Sequence, residues 1–97
     1  MWLSKSALGG INMITKRIAD ICRRFDSEFK GFMLEDLEEA IKEDKDLKEY
    51  LQENIEFCMT RNLECVAENE LETADIYLKY MVEFADIKLD LVFNKGE

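Results

Sequence analysis

The stretch from Leu71 to Phe93 constrains this chain more than any other. Its apolar residues Leu71, Ala74, Leu78, Met81, Ala85, Leu89 and Val92 recur in steps of three and four, the spacing of one face of an α-helix. A second apolar row, Tyr77, Phe84 and Leu91, runs beside it, and Val82 widens the first. A stripe this broad is contacted on more than one side. Residues 71–93 are therefore expected to form the central helix, with the first row turned to the core.

The rest of the chain reads the same way. It contains no proline and only four glycines in 97 residues, so little breaks a helical period. Ile11, Ile14, Ile18, Ile21 and Phe25 place a helix over residues 12–30, with Asn12 as its cap and Gly31 as the left-handed residue past its end. Lys16, Arg17, Arg23 and Arg24 form its outer face. Leu34, Leu37 and Ile41 are the inner edge of a short helix over residues 33–43. Leu47, Leu51, Ile55, Cys58, Cys65 and Val66 place a third over residues 47–67. Asn62 interrupts that face and suggests an extra turn; Asn69 suits the left-handed end of the helix. Helices joined by turns this short pack antiparallel. The expected fold is all-α: a single domain, residues 1–97, built as a small antiparallel bundle of about four helices. Gly9-Gly10 sets off residues 1–10 as a flexible N-terminal segment.

Charge narrows the function. Residues 1–30 hold six Lys/Arg and three Asp/Glu, net +3, whereas residues 31–97 hold seven and nineteen, net −12. A surface this acidic repels nucleic acid and anionic membrane. No run approaches the roughly 18 consecutive apolar residues of a membrane span. The three cysteines, Cys22, Cys58 and Cys65, show no disulfide framework, which points to reduced thiols and a cytoplasmic protein. The chain has no histidine. That leaves no Ser-His or Cys-His pair for nucleophilic catalysis, no zinc knuckle, and no recognisable nucleophile elbow or phosphate loop.

Two functional readings follow. In the first, the chain is a protein–protein interaction module, adaptor or inhibitor without a cofactor. Glu35, Asp36, Glu38, Glu39 and Glu43 then form an acidic surface that meets a basic partner. In its sharpest version those acids imitate nucleic-acid phosphates and block a DNA- or RNA-binding protein, as small virus-encoded inhibitors do. Phe32, Phe57, Ile76, Phe84 and Phe93 lie outside any single helix face and make a homo-oligomer plausible.

The second reading is carboxylate chemistry with a hard cation. Glu53 and Glu56 share one face of the third helix, and Glu72 and Asp75 one face of the fourth. The pattern Glu53-Asn54-Ile55-Glu56, then Glu72-Thr73-Ala74-Asp75 followed by the apolar run Ile76-Tyr77-Leu78, resembles the MazG-like all-α nucleoside-triphosphate pyrophosphohydrolases over residues 53–81. The resemblance implies that these four carboxylates hold magnesium against a triphosphate and that one positions the attacking water. Gln52 departs from the pattern, standing where that family usually carries another acid.

Overall fold

The computed structural model describes residues 9–93, with side chains from position 13 onward. It is all-α: α1 (Gly9–Phe29), α2 (Met33–Lys42), α3 (Leu47–Ala67) and α4 (Leu71–Phe93). The helices expected from periodicity are all present. Gly9 and Gly10 do not break the chain but open α1. The rest of the expected flexible segment, residues 1–8, lies outside the described residues.

α3 and α4 form the closest pair, an antiparallel hairpin, and α1 lies against α4 and carries α2. Three side-chain contacts fix the hairpin's register. Asn62 donates to the Ala74 carbonyl at 2.7 Å, Lys88 donates to Gln52 at 2.7 Å, and the Arg61 guanidinium sits 5.4 Å from the Tyr77 ring centroid. Asn62 therefore does not end α3, as its polarity suggested; it reaches across to satisfy a carbonyl of the neighbouring helix.

The turns use left-handed residues. Asn69 has φ 63°, as expected, and Asp44 has φ 59°. Behind each, the next amide closes back into the helix: Glu70 N–H to the Cys65 carbonyl at 2.8 Å and Lys45 N–H to the Ala40 carbonyl at 2.9 Å. These bonds satisfy carbonyls left open at the helix ends. Between α1 and α2 the left-handed residue is Lys30, φ 53°, not Gly31. Gly31 is needed for space instead. A Cβ there would stand 3.2 Å from Asp26 Oδ1 and 3.3 Å from Phe25 Cε1.

The core joins Ile18, Ile21, Cys22 and Phe25 of α1 to Leu37 of α2, Leu51 and Cys58 of α3, and Tyr77, Tyr80, Phe84 and Ile87 of α4. Aromatic rings fill one end. Phe29 stacks on Tyr77 with centroids 4.5 Å apart, and Phe25 meets Tyr80 edge-on at 5.3 Å, both favoured ring geometries. The Tyr80 hydroxyl donates to Glu28 at 3.0 Å.

The burial pattern of α4 reverses the expected one. Of its second row Phe84 is fully buried, Tyr77 nearly so and Leu91 half-buried, and Tyr80 and Ile87, which belonged to neither row, are buried with them. Of the first row only Ala74 is buried; Met81 and Ala85 are half-buried. Leu71, Leu78, Leu89 and Val92 are exposed, Leu71 at 60% and Leu89 at 51%. On α3, Met59, Leu63 and Val66 are exposed too. The physical reason is the number of layers. α1 and α2 cover one face of the hairpin, and the wider aromatic row takes that place because it removes more apolar area from water.

Candidate protein-binding surface

α2 is a ten-residue helix with a sharp division of faces. Met33, Leu37 and Ala40 are buried, and Leu34 and Ile41 are half-buried against the core. Glu35, Asp36, Glu38, Glu39 and Glu43 are all exposed. Glu35 and Asp36 lie in the first turn, where carboxylates suit the positive end of the helix dipole.

The helix has no side-chain cap of its own, since Phe32 occupies the N-cap position. Asp26 of α1 supplies it. Its carboxylate accepts from Met33 N–H at 2.7 Å and from Leu34 N–H at 3.0 Å. Sequence reasoning missed this residue. The signal was negative: no Ser, Thr, Asp or Asn stands at the start of α2, so its open amides require a partner from elsewhere.

The ion pairs show where the negative charge is left over. Arg17 pairs with Asp90 at 2.7 Å and Arg24 with Glu83 at 2.6 Å, tying α1 to α4. Arg23 pairs with Asp20, Arg61 with Glu64 and Lys45 with Glu53. Among the described residues none of these pairs involves Glu35, Asp36, Glu38, Glu39 or Glu43. Residues 33–44 hold six acids and one lysine, Lys42. The outer face of α2 is thus a dense array of carboxylates outside these ion pairs.

The hairpin register keeps the other four carboxylates apart. The turn is centred on Asn69, so Glu56 lies level with about Val82 and Glu53 with about Ala85, while Glu72 and Asp75 lie at the turn end. At about 1.5 Å per residue, Glu56 and Asp75 are about 10 Å apart along the axis, and Glu53 and Glu72 about 20 Å. Glu53 is engaged by Lys45 at 2.6 Å and Glu56 accepts from Gln52 at 3.0 Å. Glu72 and Asp75 are exposed. Among the described residues no three His, Cys, Asp or Glu side chains gather into a group able to hold a metal ion. The carboxylate set that the pyrophosphohydrolase resemblance implies is therefore not assembled in this fold.

Cys22, Cys58 and Cys65 are buried and unpaired with one another. Burial pushes the Cys22 and Cys58 thiols up to about 11, so both remain protonated and unreactive at neutral pH. Cys22 Sγ lies 3.7 Å from the Tyr50 hydroxyl inside the core. An open groove of about 630 Å³ between α1 and α4 is lined by Arg24, Glu28, Lys79, Tyr80 and Glu83, among others. Its two cations and two carboxylates balance, and Arg24 is committed to Glu83, so it offers no concentrated charge to a ligand.

No described helix is long and apolar enough to cross a membrane. Comparison of the chain with protein-family models, curated proteins and solved structures gives no match. The fold defines a small all-α bundle, and its functional reading rests on the surface just described.

Proposed function

We propose that this chain is a protein-binding module that presents the acidic face of α2 to a basic partner. The observation that supports it is the contrast between two sets of acids. Glu83 and Asp90 of α4 are spent on α1, whereas Glu35, Asp36, Glu38, Glu39 and Glu43 are exposed and outside the ion-pair network. A rigid row of carboxylates draws a basic surface by long-range attraction and excludes nucleic acid from it. The module therefore acts as a competitor of nucleic acid for a DNA- or RNA-binding protein.

The test is capture of basic proteins from the native host on the immobilised chain, followed by elution with duplex DNA. Wild type should hold a partner that DNA releases. A variant with Glu35→Gln, Asp36→Asn, Glu38→Gln and Glu39→Gln should lose it while keeping its helicity. A partner that binds chain and DNA together, or binds the neutralised variant equally well, overturns the reading.

A further inference from the structure

The exposed apolar residues of the hairpin have no cover among the described residues. The molecule's shortest principal extent is 18 Å, two helix diameters of about 10 Å each. One layer is α3 with α4, and the other is α1 with α2. On α4, Tyr80, Phe84 and Ile87 point into the space between the layers, whereas Leu78, Val82 and Leu89 are exposed. On α3, Phe57 reaches toward Phe25, with ring centroids 6.3 Å apart; Met59, Leu63 and Val66 are exposed on the other side of the buried Cys58 and Cys65. Among the described residues nothing lies over this outer face.

We infer that the outer face of the α3–α4 hairpin is a homodimer interface, covered by the same face of a second copy. Three observations select that occupant. The first is area. Eight apolar side chains of this face are each about half exposed, together on the order of 700 Å², above the roughly 300–600 Å² patch of a typical monomer and close to the roughly 800 Å² each partner buries in a standard interface. The second is spacing. Leu78, Val82, Ala85, Leu89 and Val92 follow steps of four and three, the seam by which helices interdigitate. A two-fold axis lays this seam on an equivalent one without any further design. The third is charge. Two copies that each carry net −9 repel unless their contact excludes acids. The seam itself, at Leu78, Val82, Ala85, Leu89 and Val92, is apolar, and the exposed acid beside it, Asp86, is accompanied by the exposed base Lys79. The seam's neighbour Lys88 is hydrogen-bonded to Gln52 within the chain. Asp75 interrupts the seam near the turn, so the contact is centred on Leu78 and Val82.

The interface is independent of the acidic face of α2, and the two fail separately. Sedimentation equilibrium of the full chain from about 1 to 100 µM tests it. Wild type should sediment as twice the 11.4 kDa chain mass. Leu78→Glu combined with Val82→Glu should weaken dimerisation at least 100-fold with the helical circular dichroism unchanged. Should that variant lose helicity, Leu78→Ser and Leu89→Ser take its place, each expected to weaken dimerisation at least tenfold. Phe32→Ser, at an exposed apolar residue far from the seam, should leave the dimer intact. A monomer throughout the range, which would mean that the face serves a different partner, overturns the inference. So does a dimer that survives the folded seam variants.

Discussion

Replacing Asp26 by alanine tests how α2, the helix carrying the acidic face, is held in place. The carboxylate makes two charge-assisted hydrogen bonds, at 2.7 and 3.0 Å, to the first two amides of α2. Loss of an N-cap costs about 0.5–2 kcal/mol, and loss of a negative charge at a helix N-terminus about 0.3–1 kcal/mol. The site is half-buried, so water replaces the carboxylate only in part, and the expected cost of Asp26→Ala is about 2 kcal/mol. For a domain of about 100 residues each kcal/mol shifts Tm by about 4–8 °C, so a fall of roughly 10 °C is expected. Asp26→Asn keeps one acceptor and should lose about half as much. Thermal and urea unfolding followed by circular dichroism measure both, with an unchanged m-value showing that the unfolding surface is the same. Because fraying α2 disorders its carboxylates, Asp26→Ala should also weaken partner binding although it lies off the acidic face. A variant within about 0.5 kcal/mol of wild type would refute the capping role.

Alkaline pH should destabilise the fold through its thiols. Cys22 and Cys58 are raised from 9.0 to about 11 by burial, so the folded state keeps protons that the unfolded chain releases. Their contribution is complete below pH 9 and is lost as pH rises through 11, by about 2 kcal/mol for each thiol at that pH. Urea midpoints across this range should fall less steeply in Cys58→Ala than in wild type. Magnesium should leave Tm unchanged, because a cation bound at tenfold its Kd would add more than about 1 kcal/mol; a rise in Tm with magnesium would reveal a carboxylate site that the present register does not form.

Much of the fold was legible in the sequence. The four helices follow from apolar steps of three and four, and the left-handed Asn69 from residue type. What periodicity did not supply was the choice between the two rows of α4. Both have helical spacing, and the leucine row reads as the more hydrophobic. Tyr77 and Tyr80 can nevertheless be buried because their polar tips reach the surface, at Arg61 and Glu28. The cap from Asp26 was hidden because it comes from seven residues upstream, outside the local window of a capping motif. The separation of Glu53 and Glu56 from Glu72 and Asp75 was readable from the turn. Residues facing each other across a hairpin stand at equal distance from its centre, and Glu56 and Glu72 do not. The acidic face of α2 was visible in composition alone, but its freedom from ion pairs depended on which acids α1 engages.

The orientation of α4 supports every conclusion drawn about its two faces. Unfolding free energies of Phe84→Ala and Leu78→Ala, measured at a concentration where wild type is monomeric, test it most directly. Truncating the fully buried Phe84 should cost about 3–5 kcal/mol, and truncating the exposed Leu78 less than about 1 kcal/mol. The opposite order would place the leucine row inside and contradict the account.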